Sequence, residues 1–548
     1  MTRRREVLKF VALGGAGLAL TGHRAHAQIC TAEIDPLPTV SPATTPFISP
    51  LFILPKARPV SRLYPPPVPS QHQLYQQYPP KKFYNFDVTE FPWEFHPQLP
   101  KSLVWGYQGT SPGPMIVGRY GEPILVRMNN KLPADHTGFG TPSITTHMHN
   151  MHAAAESDGF PDDYIDTGYY HDHHYANFPA GGDWREMLAT LWYHDHMDDY
   201  TAANVYKGLY GSYILYNELD SGDERDQNPN AFRLPGGDYD VPLLLMDRAF
   251  DNNGELYFDV FNTDGVLGDK MTVNGIVTPY FQVEPRKYRL RFVNSCPSRF
   301  LTLKFDNVQP VVLSSDGNLL PEPYSPPNIP LAMAQRVDVI VDFSQVPFGS
   351  SVTLTNILYQ ISGRGPEIPI QYMNPGDPVM RFDVVKQLRR PDMSVIPATM
   401  IPLPQIDLSS VRRHRLFEFD YFNGSWLIND KVYDRERIDA APLMNSAEIW
   451  TLRNMGSGWS HPIHIHLEEH RVLRRNGQPI QPGTNDFGRK DIVWLGPKDE
   501  VQIFMQFRDF YGHYVMHCDN IVHEDHAMMI RWDSVANELD SNDEDGAN

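Results

Sequence analysis

The chain has 548 residues and a formal net charge of −19. At about 150 residues per domain, this length predicts three or four domains, each with a sizeable core. The negative charge argues against nucleic acid and anionic membranes as partners, because both repel an acidic surface. No apolar stretch reaches the roughly 20 residues that a membrane helix needs. The sequence therefore predicts neither a nucleic-acid-binding nor a membrane-spanning protein.

Residues 1–27 predict an export signal. Arg4-Arg5-Glu6-Val7-Leu8-Lys9 resembles a twin-arginine motif. A short apolar run from Phe10 to Leu20 follows, and Ala25-His26-Ala27 is a small-x-small cleavage site. We expect a periplasmic or extracellular protein, exported by the twin-arginine route. The alternatives are an ordinary secretory signal and a frayed terminus.

Short apolar segments between turn residues dominate the rest of the chain, which contains 49 prolines. Long helical periodicity is rare. This pattern is typical of all-β sandwiches or barrels. Representative segments are Pro123 to Met128, Val241 to Met246, Lys287 to Val293, Val337 to Phe343 and Val501 to Phe507.

Changes in composition predict the domain boundaries. The proline-rich stretch at 28–82 is expected to wrap the surface as an extended arm. Polar Ser221 to Gly237 and proline-rich Arg389 to Pro404 are predicted linkers. The acidic tail at 536–548 is expected to be disordered. The predicted domains are 83–220, 238–385 and 412–535.

The chain contains three cysteines, Cys30, Cys296 and Cys518. If Cys518 binds a metal, Cys30 and Cys296 remain. In an oxidising compartment they would pair and join the mature N-terminus to the middle of the chain. Two buried free thiols are the alternative, and their spacing does not decide between the two.

Four clusters hold nine of the 22 histidines and carry the strongest functional signal. A lone histidine is more often a core or surface residue than a ligand, but four clusters at metal-ligand spacing indicate metal binding. The clusters are His147-Met148-His149, His194-Asp195-His196, His461-Pro462-Ile463-His464-Ile465-His466, and His517-Cys518-Asp519 with His523 and Met528. Six nearby histidines are expected to lie mostly at the surface: His152, His171, His173, His174, His513 and His526.

The spacing of the histidines within each cluster determines which way they face if the clusters lie on strands. Residues i and i+2 of a strand face the same side, so each His-x-His presents two imidazoles together. A Cys and two His with a distant axial Met form a blue-copper site. If Cys518 lies on a strand, His517 and Asp519 point to its opposite face. A copper on the thiolate is then joined to a second metal group through a few covalent bonds, which would conduct electrons.

The motifs resemble those of the multicopper oxidases, in particular three-domain bacterial laccases such as the spore-coat laccase, and bilirubin oxidase. Further segments carry the resemblance: Val104-Trp105-Gly106-Tyr107, Pro112-Gly113-Pro114, Val273-Asn274-Gly275 and Leu290-Arg291-Phe292-Val293-Asn294. The resemblance implies three cupredoxin-like Greek-key β-sandwich domains, four coppers per chain, and a type 1 copper in the third domain.

The resemblance also implies a role for each clustered residue. Asp158 and Glu524 match acids that deliver protons near the copper cluster, although surface or capping acids are the alternative. The implied ligands are His461, Cys518 and His523 with axial Met528 for type 1 copper, His147 and His464 for type 2, His196, His466 and His517 for one type 3 copper, and His149, His194 and residue 519 for the other.

The implied activity is the one-electron oxidation of phenols or aromatic amines with reduction of dioxygen to water. The partners would be a small-molecule reducing substrate and dioxygen. An oxidase of manganous, cuprous or ferrous ion is an alternative, although the scattered methionines argue against the cuprous version. A second alternative is a copper-binding or electron-transfer protein with little oxygen reduction.

Asp519 departs from the family pattern, which has histidine at this position. Three interpretations are open. The carboxylate, charged near neutral pH in an ordinary aspartate, replaces imidazole as a ligand. Alternatively, the metal keeps two histidines and its occupancy falls. In the third interpretation the residue was changed deliberately to disable or trap the enzyme.

Overall fold

The structure is a computed structural model that describes residues 41–536. The export signal at 1–27, Cys30 and the tail beyond residue 536 lie outside the described residues, so the expectations for them stay predictions. Between residues 41 and 81 the chain runs along the body and makes isolated bridges, such as Lys56 with Met115 and Val60 with Phe83. Within residues 41–536, none of the helices could serve as a membrane span.

The first pair of sheets lies between residues 82 and 216. Its elements are β1 (Lys82–Trp93), β2 (Ser102–Tyr107), β3 (Gly113–Arg119), β4 (Ile124–Asn130), β5 (Thr146–His149), α1 (Ala155–Asp158), β6 (Tyr170–Tyr175), β7 (Thr190–Asp195), α2 (Thr201–Lys207) and β8 (Tyr210–Tyr216). The sheet orders are β2-β1-β4-β6 and β3-β8-β7-β5. Apolar side chains between the two sheets, among them Phe86, Val126 and Tyr193, form a buried core.

The second pair lies between residues 240 and 384. Its elements are β9 (Asp240–Phe250), β10 (Leu256–Tyr257), β11 (Lys270–Val273), β12 (Ile276–Val277), β13 (Tyr280–Val283), β14 (Lys287–Asn294), β15 (Leu301–Phe305), β16 (Val311–Ser315), β17 (Asn318–Tyr324), β18 (Ile329–Leu331), β19 (Arg336–Asp342), β20 (Ser351–Leu358) and β21 (Tyr372–Val384). One sheet has the order β12-β11-β9-β14-β19-β16-β17, with β10 beside β9, and the other β13-β21-β20-β15-β18.

The third pair lies between residues 411 and 534. Its sheets have the orders β23-β22-β24-β30-β26-β27, with β28 beside β26, and β29-β25-β31-β32. Cys518 and Met528 lie in its buried core with Trp450 and Trp532. The elements are β22 (Val411–Phe422), β23 (Ser425–Ile428), β24 (Ser446–Asn454), β25 (His461–Ile465), β26 (His470–Arg475), β27 (Gln478–Pro479), β28 (Arg489–Lys490), β29 (Ile492–Leu495), β30 (Glu500–Phe507), β31 (Gly512–Cys518), α3 (Ile521–Asp525) and β32 (Met529–Ser534).

The all-β prediction is confirmed, and each of the five representative apolar segments lies almost wholly within a strand. The three pairs of sheets follow one another along the sequence, while the exact domain boundaries stay a prediction. Six short 3-10 turns complete the described elements: Pro69–Gln71, Ala180–Gly182, Trp184–Glu186, Gly237–Tyr239, Phe343–Gln345 and Leu408–Ser410.

A buried charge network joins the first and second pairs of sheets. Arg289 Nη2 lies 2.6 Å and Arg291 Nη1 3.1 Å from the Asp338 carboxylate. Arg291 also pairs with Asp240 at 2.6 Å and donates a hydrogen bond to Thr190 Oγ1 of β7 at 2.7 Å. Because Asp338 serves two buried guanidinium groups, its removal would leave charge without compensation in the interior.

We therefore expect Asp338→Ala to lower the free energy of unfolding by about 3–5 kcal/mol, the cost of breaking a buried ion pair. Urea unfolding followed by tryptophan fluorescence measures the change. Glu436→Ala is the control, because Glu436 is 80% exposed in its pair with Arg435. Such a surface pair contributes only about 0–1 kcal/mol. Equal losses in the two variants would contradict a structural role for the network.

Candidate metal centre

Two strand pairs from different sheets carry the clustered histidines. In the first pair of sheets β5 and β7 are antiparallel, with His147 opposite His194. In the third pair β25 and β31 are antiparallel, with His464 opposite His517 and Ile463 opposite Cys518. Residues directly opposite on antiparallel strands lie about 5 Å apart, so each strand pair brings histidines together. The two strand pairs face one another, and the His149 and His464 rings stack at 3.8 Å between centroids.

Cys518, His461 and His523 form a first group, which we call the sulfur group. The Cys518 Sγ atom lies 3.5 Å from His461 Nδ1 and 3.7 Å from His523 Nδ1, and these two nitrogens are 3.2 Å apart. Burial raises the pKa of the Cys518 thiol and lowers the pKa of His461 to about 3. A neutral imidazole is the form that binds metal, and a bound cation stabilises the thiolate.

Met528 is buried beside the sulfur group and is held there through the backbone. The Met528 amide donates to the His523 carbonyl oxygen at 3.0 Å, and the Cys518 amide donates to the Met528 carbonyl oxygen at 3.1 Å. Its thioether is the soft, weak donor that a blue-copper site uses on its axis.

The other clustered histidines form a second group, the seven-histidine group. On β31 the alternation of side chains sends His517 away from Cys518 and towards the first pair of sheets. His517 Nε2 lies 3.1 Å from His196 Nε2 and 3.2 Å from His466 Nε2. All members are buried. They are His147, His149, His194, His196, His464, His466 and His517.

Each ring in the seven-histidine group turns one nitrogen to a protein oxygen. His147 Nδ1 donates to the Asp158 carbonyl oxygen at 2.5 Å, His194 Nδ1 to that of Asp195 at 2.9 Å, and His464 Nδ1 to that of Asp491 at 3.0 Å. The other nitrogen of each ring points to its neighbours, as between His194 Nε2 and His149 Nδ1 at 3.4 Å. Such outer contacts orient histidines that bind a metal.

The inner nitrogens fit a cluster of metal ions. His147 Nε2 and His464 Nε2 are buried without a hydrogen-bond partner. A buried polar atom without a partner is unfavourable, whereas a bound ion would satisfy both atoms. Imidazole together with thiolate is a donor set that suits copper. The residues present therefore fit copper in both groups.

Asp158 and Glu524 are buried at the seven-histidine group, so the alternative of surface acids is wrong. His466 Nδ1 donates to Asp158 Oδ2 at 2.6 Å. Glu524 Oε2 lies 3.0 Å from His517 Nδ1, and Oε1 lies 3.3 Å from His196 Nδ1. Burial alone would raise the pKa of Glu524, but His517 and His196 outweigh it and lower that pKa.

Asp519 is buried but stands apart from the clustered donors. Its Oδ1 atom lies 4.0 Å from His517 Nδ1, and its Oδ2 atom has no hydrogen-bond partner. Among the described residues it belongs to none of the three-residue groups whose donor atoms are close enough to share an ion. Burial raises the pKa of Asp519 to about 8, so this carboxyl keeps its proton at neutral pH more readily than an ordinary aspartate.

Asp491 was missed by the sequence analysis. Its Oδ2 atom lies 2.8 Å from His149 Nε2, and its carboxylate accepts two hydrogen bonds from Arg336, each at 2.9 Å. Arg336 belongs to the second pair of sheets, so this contact ties three parts of the molecule to one histidine. The only signal in the sequence was the charged run Arg489-Lys490-Asp491 directly before an apolar strand.

The expectation that the six other histidines lie mostly at the surface is wrong. His152, His173, His174 and His526 are buried, and His171 and His513 are partly buried. Five of them hydrogen-bond to backbone oxygens, as His173 Nδ1 does to the Ser157 carbonyl oxygen at 3.0 Å. His513 instead lies 3.2 Å from the Asp163 carboxylate.

Comparison with known proteins decides the family. The multicopper oxidase profiles match residues 88–220 and 405–538. The chain is 33% identical to bilirubin oxidase of Albifimbria verrucaria over 469 residues, 82% of this chain and 76% of that protein. It is 31% identical to a laccase of Bacillus subtilis, over 84% of this chain and 96% of that one. The chain belongs to the multicopper oxidase family. This multicopper oxidase is therefore a copper-dependent enzyme that reduces dioxygen.

Comparison with solved structures supports the same fold as the family assignment. A laccase from Pediococcus acidilactici superposes on this multicopper oxidase with a TM-score of 0.73 at 24% identity, covering 91% of this chain and 95% of that chain. The expectation of cupredoxin-like β-sandwiches is thereby confirmed, and the implied copper and small-molecule donor are those of the family.

Proposed function

We propose that this multicopper oxidase takes single electrons from phenols or aromatic amines at the sulfur group and reduces dioxygen to water at the seven-histidine group. The proposal includes four copper sites per chain, with the ligand sets that the resemblance implies and with Met528 among the residues that would hold the type 1 copper. It also includes export through the twin-arginine motif in residues 1–27, which the paired arginines and the apolar run after them support.

One observation carries the proposal: adjacent residues of a single strand serve both groups. The Cys518 sulfur faces His461 and His523, while the imidazole of His517 faces His196 and His466. Copper, when bound, supplies the one-electron redox chemistry in both groups. The peptide between His517 and Cys518 then gives electrons a short covalent route, and the apolar core around Cys518 excludes water from it.

Glu524 has two roles in the proposal. It orients His517 and His196 through its close contacts with their outer nitrogens, and it delivers protons that the formation of water requires. Its Oε1 atom accepts a hydrogen bond from Thr201 Oγ1 at 2.8 Å, which fixes the carboxylate between the two rings. Asp158 holds His466 in the same way on the other side, and burial raises the pKa of its carboxyl.

Metal analysis combined with visible and electron spin resonance spectra tests the proposal, together with oxygen uptake on a methoxyphenol. A blue thiolate site, steady oxygen uptake and copper at each of the four sites are expected, with the lowest occupancy at the site of His149 and His194, which Asp519 does not join. A protein that stays colourless after reconstitution with copper would overturn it. A competing function is electron transfer with little oxygen reduction. It is favoured by the aspartate at position 519, where the family has a histidine. In that case the donor bleaches the blue absorption and air does not restore it.

We expect Glu524→Gln to lower the rate of oxygen reduction by about 10–100-fold, the usual effect of losing an outer partner of metal-bound histidines. Glutamine keeps the size of the side chain but cannot accept from both imidazoles and carry a proton. Oxygen uptake measures the loss, and anaerobic bleaching of the blue absorption should keep its rate. Glu436→Gln is the matched surface control. Equal slowing of bleaching would mean that Glu524 acts on the sulfur group instead.

A further inference from the structure

A cleft of about 580 Å³ opens beside the sulfur group, and we call it the donor cleft. Its lining includes Asp259, Asp264, Gly363, Arg364, Glu367 and Ser457. Two backbone oxygens of this lining connect it to the ligand His523 and to Asn520, three residues before it. His523 Nε2 donates to the Asp264 carbonyl oxygen at 3.0 Å, and Asn520 Nδ2 donates to that of Gly363 at 2.9 Å.

His523 itself is fully buried, so a donor in the cleft cannot touch its ring. The Asp264 carbonyl and its hydrogen bond connect the cleft to this ring directly. Trp426 covers the ring from another side and stacks on it at 3.8 Å between centroids. Direct contact between a donor in the cleft and the His523 ring is therefore blocked.

The lining of the cleft has more acidic than basic side chains. Among the described residues that line it, three are acids and one is a base: Asp259, Asp264 and Glu367 against Arg364. Arg364 is already engaged on two sides. Its Nε atom pairs with Asp264 at 3.1 Å, and its guanidinium lies 4.5 Å from the centre of the Trp459 ring. Asp259 and Glu367 have no basic residue opposite them in the lining.

We propose that the donor cleft takes electron-rich aromatic donors that carry a positive charge, in preference to neutral or anionic ones. This inference rests on the proposed function and names its substrate class. Each phenolic donor loses one electron to the copper that the sulfur group binds and one proton to solvent water. A cationic donor is concentrated near Asp259 and Glu367, whereas an anionic donor meets their repulsion with Arg364 held by Asp264.

The test compares two methoxyphenols with the same ring, one bearing a trimethylammonium side chain and the other a sulfonate. The cationic donor should have a kcat/KM about tenfold higher at low ionic strength, and salt should reduce the difference. The anaerobic rate of bleaching of the blue absorption should show the same preference, because that step involves only the donor and the sulfur group.

Variants of the charged lining residues test which of them cause the preference for the cationic donor. Glu367→Gln and Asp259→Asn should each reduce the cationic preference, and Arg364→Gln should increase it, while the surface control Glu436→Gln should leave it unchanged. Equal rates for both donors, or a preference for the sulfonate, would overturn the inference and leave the oxidase function intact. Absence of oxidation of either donor, with no blue absorption, would instead overturn the proposed function.

Discussion

Replacing Cys518 with serine is expected to remove the blue absorption and to reduce oxygen uptake with a phenol to background. Cys518 provides the only thiolate within reach of His461 and His523 among the described residues. A serine hydroxyl is a hard donor that binds copper poorly at this geometry. The loss should exceed the roughly 10–100-fold that outer-partner changes cause, because both electron acceptance and the route to His517 are removed.

Visible absorption, oxygen uptake and copper content measure this result together. Copper content should fall by one ion per chain while the seven-histidine group keeps its metal. Cys296→Ser is the matched control, because Cys296 is a second buried cysteine, far along the chain from the sulfur group and in the core of the second pair of sheets. An unchanged blue band in Cys518→Ser would refute the type 1 assignment.

The local part of the site was predictable because it depends on strand alternation. The spacing in His147-Met148-His149 places two rings on one face, and the order His517-Cys518 places imidazole and sulfur on opposite faces. The structure has both arrangements. The same alternation, together with frequent turn residues, predicted the all-β fold, since both are properties of short sequence windows.

The contacts between distant segments were not predictable from short windows. His147 stacks on His466 at 3.9 Å although more than 300 residues separate them. This contact depends on how the first and third pairs of sheets pack, and no local pattern encodes that packing. Asp491 was missed for the same reason. Its importance comes from Arg336 and His149, which lie on two other sheets.

The sequence also did not predict which ring nitrogen of each histidine faces the other donor atoms. His461 and His523 turn Nδ1 to the sulfur, whereas His196, His466 and His517 turn Nε2 to one another. The outer hydrogen bond of each ring decides this choice, and most of its acceptors are backbone carbonyls or acids from other segments. The identity of candidate ligands can therefore be predicted from a sequence, but the orientation of their rings cannot.

Asp519→His is expected to raise the copper content towards four ions per chain and to increase oxygen uptake by about tenfold or more. His149 and His194 meet at 3.4 Å, but the Asp519 carboxyl is not grouped with them within the described part of the chain. Its Oδ1 atom lies 4.0 Å from His517 Nδ1, and its Oδ2 atom has no hydrogen-bond partner. These facts favour the interpretation in which that copper keeps two histidines, and a longer imidazole at 519 would restore the third donor.

Asp519→Asn separates the effect of the ligand from the effect of charge. Asparagine has the size of aspartate and no charge, so it should leave both copper content and oxygen uptake near those of the unchanged protein if a missing imidazole is the defect. Copper content and uptake measured on both variants decide the matter. If Asp519→His keeps its copper and turns over more slowly, the carboxylate acts as a ligand adapted to this site. In that case the longer histidine would not fit the position that the shorter carboxylate holds.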